Sequence, residues 1–141
     1  MIGGLNAMID LYPRKCNICG GPVRLVDNSR VYSPEYASLH PGKVYMCQRC
    51  GAYVGLHPHS HRALGILASR KMRRARMYCH DLFDSFWQGR RHAHRKRVRA
   101  YTELARRLGI PVEECHFGWM TVPEMRVAYR HLLDMKKEGW R

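Results

Sequence analysis

KVYMCQRCGAYVGLH, residues 43–57, carries the pair Cys47 and Cys50 with Gly51 directly behind it and a strand-like apolar run on each side. The same figure occurs at residues 16–21, CNICGG, where Cys16 and Cys19 precede Gly20 and Gly21. Two residues between cysteines let both thiolates turn onto one ion, and two such knuckles complete a tetrahedral sulfur shell. Glycine suits the tight turn behind each pair. The expected ligands are therefore Cys16, Cys19, Cys47 and Cys50, holding one structural Zn²⁺. Iron is the competing ion, since soft thiolate sites accept it. Because protein fills all four positions, no place is left for a catalytic water, and the metal should contribute folding energy rather than chemistry.

Between the knuckles, VRLVDNSRVYS (residues 23–33) alternates weakly around Asp27-Asn28 and suggests two short strands joined by a turn. PEYASLHPG (34–42) reads as loop. Residues 1–15 fit a short strand or a loose arm. The chain has six cysteines, which could make three disulfides. The paired spacing favours a metal instead. Met1 to Tyr12 lacks the basic stretch and apolar core of an export signal, so a reducing, cytoplasmic setting is expected. No apolar run approaches the length of a membrane span.

The second half is basic and helical. Leu64, Leu67, Met72, Ala75, Cys79, Leu82, Phe83 and Phe86 recur at three- and four-residue spacing, predicting a helix over 63–88 with a possible break near Ser69. A second helix is expected from Arg90 to Leu108, with Val98, Tyr101, Leu104, Ala105 and Leu108 inward and Gly109 ending it. A third begins at Thr121, where Thr121 and Glu124 form a capping box and Pro123 sits in the first turn. Met125, Ala128, Tyr129, Leu132 and Leu133 supply its apolar stripe. YTELARRLGIP (101–111) resembles the start of a helix-turn-helix unit, but the gap to Thr121 is long for that motif. The predicted architecture is α+β: a small four-cysteine zinc ribbon with short strands in residues 1–58, then a basic three-helix region, 59–141, packed against it.

The formal charge is +14, from 25 basic and 11 acidic residues, so the chain should be drawn to polyanions. Four zinc-bound thiolates and one Zn²⁺ lower this only to about +12. Arg70, Lys71, Arg73, Arg74 and Arg76 form one dense run; Arg90, Arg91, Arg95, Lys96, Arg97 and Arg99 form another. A helix spreads such runs around its cylinder, so several guanidiniums must point outward, where their rigid fork suits phosphate. Nucleic acid is the expected partner. An inhibitor or adaptor that binds a host nucleic-acid-processing protein, through an acidic surface of that partner, is the alternative. Lys15, Arg24 and Arg49 lie near the knuckles and could offset the thiolates or touch phosphate.

The histidines raise a third reading, a metal-dependent nuclease. His57, His59 and His61 alternate and would share one side of a strand. His80 and Asp84 are four apart and share a helical face. Cys79-His80 and Cys115-His116 make a matched pair that could contribute to a second metal site. The plainer reading of both cysteines is buried packing. The catalytic candidates are His57, His80, Asp84 and His116, and no complete nuclease motif or phosphate-binding glycine loop accompanies them.

These residues resemble a family of small zinc-finger-containing proteins of uncharacterised function from bacteria and phages. The likeness covers roughly residues 14–120. It rests on Cys16, Cys19 and Gly20, then on VYMCQRCGAYVGLH, LGILA, and RARMYCHDLFDSFW with His80, Phe83, Asp84 and Trp87. AYTELARRLGI and CHFGWM follow, with Cys115, His116 and Gly118. The resemblance implies the zinc ribbon and brings no activity with it. Some members carry a further cysteine after the CHFG block. This chain has none, which argues against a second zinc built there.

Overall fold

β1 (Val23–Asp27), β2 (Lys43–Cys47) and β3 (Tyr53–Val54) form an antiparallel sheet in that order. They belong to a computed structural model that describes residues 10–141. The strand or arm expected over residues 1–15 lies largely outside the described residues. Val23 stands opposite Cys47, and Asp27 opposite Lys43; on the other side of β2, Tyr45 faces Val54. This register decides the site. The second knuckle is the turn between β2 and β3, the first leads directly into β1, and both lie at the same end of the sheet.

The hairpin expected within 23–33 does not form. The Asp27 carboxylate accepts from the Ser29 N–H at 2.9 Å and starts a 3-10 turn, Asn28–Arg30. Buried Asn28 donates its side-chain amide to the His40 carbonyl at 2.7 Å, and its backbone N–H to Gly42 at 2.9 Å. The supposed loop after it contains a helix, α1 (Pro34–Leu39). The Ser33 side chain caps it by accepting from the Tyr36 N–H, and Pro34 and Glu35 fill its first turn. Serine, proline and glutamate in that order are a local helix-start signal.

Residues 63–69 also depart from expectation. They are not helical: Ala63 bridges Leu56 and Ala68 bridges Tyr53. Ala63 and Leu67 join Cys16, Tyr45, Cys47, Ala52 and Val54 in the core behind the knuckles. Over so short a run, apolar spacing does not separate a buried extended segment from a helix. The helix begins at the foreseen break, as α2 (Arg70–Asp84).

The described residues divide into two compact units, 10–70 and 71–141. Within the second, α2 presents Cys79 and Phe83 inward; α3 (Ala93–Leu108) buries Ala100, Leu104, Ala105 and Leu108. α4 (Val122–Lys137) buries Met125, Ala128, Leu132 and Met135, and opens on the expected Thr121–Glu124 capping box. α3 starts three residues later than expected because His92 adopts a left-handed φ of 57°. Gly109, also left-handed, ends it, and the Ile110 N–H donates to Ala105 at 3.1 Å. Val98 and Leu133, expected inward, are 48% and 40% exposed. Two 3-10 turns, Val112–Glu114 and Phe117–Trp119, separate α3 from α4, so the helix-turn-helix likeness does not hold. Among the described residues no helix is long and apolar enough to cross a membrane.

Candidate functional site

The two knuckles repeat one backbone design. The Cys16 N–H donates to Gly21 at 2.8 Å and the Gly20 N–H to Cys16 at 3.0 Å. Equivalently, the Cys47 N–H donates to Ala52 at 2.8 Å and the Gly51 N–H to Cys47 at 3.1 Å. Gly20 and Gly51 adopt φ of 76° and 79°, the left-handed turn that a side chain would strain. Amides then point at sulfur: Ile18 N–H at Cys16 (3.3 Å), Gly21 at Cys19 (3.4 Å), Arg49 and Cys50 at Cys47 (3.3 and 3.4 Å). Such donors favour thiolate over thiol. The Cys50 N–H, working against burial and followed by the Arg49 N–H, holds the Cys47 thiol down at about 6.

The sulfurs meet at metal spacing. Cys16 and Cys50 Sγ are 3.7 Å apart, Cys19 and Cys47 Sγ 3.5 Å, and all four lie within 4.8 Å of one another. A tetrahedron with Zn–S bonds near 2.3 Å has sulfur edges of about 3.8 Å. The set therefore fits a metal ion such as Zn²⁺, and all six cysteines are free of disulfides. Among the described residues it is the only His, Cys, Asp or Glu group of three or more with that spacing.

Three supports were not read from the sequence. The Asn17 side chain clamps Leu67: its Nδ2 donates to the Leu67 carbonyl at 3.0 Å, and its Oδ1 accepts the Leu67 N–H at 2.9 Å. This ties the first knuckle to the extended segment behind it. Gly21 sits where the knuckles converge, with no room for a side chain. Arg49, weighed above as a charge near sulfur, donates to the Cys19 carbonyl at 3.2 Å and so links knuckle to knuckle. An asparagine within the first Cys-x2-Cys was the only available signal for the clamp.

The histidines do not share a strand face. His57 and Arg62 close a hairpin, His57 N–H to Arg62 at 2.8 Å, and His59 takes a left-handed φ of 56° at its turn. The His61 carbonyl accepts the Tyr45 hydroxyl at 2.7 Å. In the other unit, His80 packs edge-on to Phe117 at 5.0 Å, and burial pushes its imidazole pKa down against the pull of Asp84. His116 lies 6.1 Å from the Tyr101 ring, which packs 4.1 Å from Phe83. His80 and His116 therefore border the same aromatic group, and neither they nor Asp84 join a cluster at metal-ligand spacing among the described residues. Cys79 donates to the Met125 carbonyl at 3.7 Å, and burial pushes its thiol up to about 11 and that of Cys115 to about 12. Both are buried packing groups, and among the described residues neither belongs to a cluster at metal-ligand spacing.

The basic residues divide by what they touch. Arg76 donates to the Gly118 carbonyl at 2.9 Å, with its pKa lowered to about 10 by burial and then by Arg73. Arg90 donates to Ser85 at 3.0 Å. Arg97 lies over the Trp87 and Tyr101 rings, at 5.6 and 5.0 Å. Arg70, Lys71, Arg74, Arg91 and Arg95 are exposed.

Fold and site together define a zinc-ribbon-like α+β protein: a three-stranded sheet, a four-cysteine metal-binding cluster at one end of it, and a helical C-terminal region. Residues 12–135 match the model of the zinc-finger-containing domain family, and the chain belongs to that family. No curated protein and no solved structure matches the chain.

Proposed function

We propose that this protein binds nucleic acid, with the four-cysteine zinc centre as scaffold and the arginine-rich helices docking on phosphate. The observation that carries the reading is the state of α3. Its two C-terminal arginines, Arg106 and Arg107, are paired with Glu103 at 2.7 and 2.6 Å. In its first half, no carboxylate among the described residues pairs with Arg95, Lys96, Arg97 or Arg99. A basic run without internal counter-charges, on a chain of net charge +14, favours a polyanion. Arg70, Lys71, Arg73, Arg74, Arg90 and Arg91 extend the proposed contact set.

Binding of this kind releases counterions, so the logarithm of the affinity should fall linearly with the logarithm of salt concentration. Fluorescence anisotropy with labelled DNA and RNA over a salt series tests it. A steep negative slope is expected. No binding at low salt, or salt-insensitive binding, overturns it.

A further inference from the structure

The first half of α3 also walls a groove. His94, Arg95, Val98, Arg99 and Thr102 recur every four or so positions and so share one helix face. Trp140, just beyond α4, stands opposite, and together with Glu103 they line a space of about 580 Å³. This lies within the usual size of small-ligand sites, about 300–1,000 Å³. The tryptophan is held in place. Gly139 turns through a left-handed φ of 86°, and the Trp140 N–H returns to the Met135 carbonyl at 3.1 Å. The Arg99 guanidinium lies 5.0 Å from the indole centroid. At the far end, both Arg106 and Arg107 hold the Glu103 carboxylate, so its charge is compensated before any ligand arrives.

The lining has two chemistries side by side. Arg95 and Arg99 give one cationic rim. Trp140 and Val98, the latter 48% exposed, give an apolar surface with an aromatic plane. Phosphate alone would need no aromatic plane, and a duplex keeps its base faces stacked inside. An unpaired strand offers both a phosphate for the arginines and a base face for the indole.

We propose that this groove takes an unpaired nucleotide of a single-stranded nucleic acid, its base stacked with Trp140 and its phosphate on Arg95 and Arg99. The proposal rests on the nucleic-acid reading above and adds a preference for single strands.

The test is anisotropy at low salt with a short labelled oligothymidylate and a duplex of the same length, using the full zinc-loaded chain. The single strand should bind more tightly than the duplex. Trp140→Leu should weaken single-strand binding about tenfold, and Trp140→Phe should retain most of it. Arg126→Gln, an exposed change on α4, serves as the control and should bind as wild type. Circular dichroism melts should confirm that the variants fold. Equal or tighter duplex binding, or wild-type single-strand affinity in Trp140→Leu, overturns the groove proposal while leaving the parent reading standing. Wild-type protein that binds neither form overturns both.

Discussion

Gly21 and Arg49 touch where the two knuckles meet: a β-carbon on Gly21 would stand 2.7 Å from Arg49 Cβ and 3.0 Å from Cys47 Sγ. Neither neighbour is a flexible tip. One is fixed to the backbone of a knuckle and the other is a metal ligand. Gly21→Ala should therefore push the knuckles apart, costing about 1–3 kcal/mol of stability and weakening zinc in competition with a chromogenic chelator. Gly20→Ala is a useful contrast. Its left-handed turn should cost about 1–2 kcal/mol, but the nearest atom is Lys15 Cε at 3.5 Å, so sulfur spacing is spared. Unchanged zinc affinity in Gly21→Ala would refute the close approach.

Removing the metal should unfold the sheet. The core behind the knuckles includes Cys16 and Cys47 themselves, and structural zinc sites contribute about 10–16 kcal/mol of apparent binding energy. Elemental analysis should find one zinc per chain. A strong chelator should then abolish hydrogen-exchange protection of the Val23–Asp27 and Lys43–Cys47 amides. Protection that survives complete metal removal would show that the sheet stands without it.

The Asn17 clamp yields a sharper substitution. Leu67 is fully buried, so Asn17→Ala leaves both a donor and an acceptor of its backbone without their partner, at a cost of about 2–4 kcal/mol. Asn17→Asp keeps an acceptor for the Leu67 N–H but sets an oxygen against the Leu67 carbonyl. It should therefore destabilise too, and more as pH rises and the carboxylate ionises. Thermal melts of the zinc-loaded protein would read both, and a neutral Asn17→Ala would remove the clamp from the account.

Legibility followed sequence distance. Each knuckle is a local turn whose ligand spacing is written in six residues, so Cys16, Cys19, Cys47 and Cys50 could be named before any fold was known. The caps of α3 and α4, Gly109 and Thr121–Glu124, are equally local. Asn17 and Leu67 are 50 residues apart, and nothing near either names the other. Residues 63–69 failed for a related reason: they are apolar because they close a sheet-like core, and their spacing imitated a helix. His57, His59 and His61 alternate in a way that would align them on a strand, but the left-handed His59 puts them around a turn instead.

Acid should destabilise the end of α3 in a defined window. Hydrogen bonds from Arg106 and then Arg107 hold Glu103 near 2, against an ordinary value of 4.5. A bond from Arg107 likewise lowers Glu138, whose carboxylate meets Arg107 at 3.0 Å. Both shifts are downward, so their stabilisation is complete above about pH 4.5 and is lost as pH falls toward 2. These side chains are partly exposed, and solvent screening keeps the Glu103 contribution to about 1 kcal/mol or less. Glu103→Gln should flatten the pH dependence of the melting temperature between 4.5 and 2 and lower stability slightly at neutral pH. An unaltered acid profile would mean that the Glu103 pairs contribute nothing.

Arg76 and Arg95 look alike in the sequence and should behave oppositely. Arg76 is drawn inward to the Gly118 carbonyl, so Arg76→Gln should lower stability by about 1–3 kcal/mol and leave the salt slope of nucleic-acid binding unchanged. Arg95 is exposed and lines the groove beside Trp140. Arg95→Gln should leave the stability within about 0.5 kcal/mol of wild type and reduce the salt slope by about one. The pair separates a guanidinium that builds the fold from one that meets a ligand. If Arg76→Gln changed the slope while Arg95→Gln did not, the first half of α3 would drop out of the proposed contact set and the groove beside Trp140 with it.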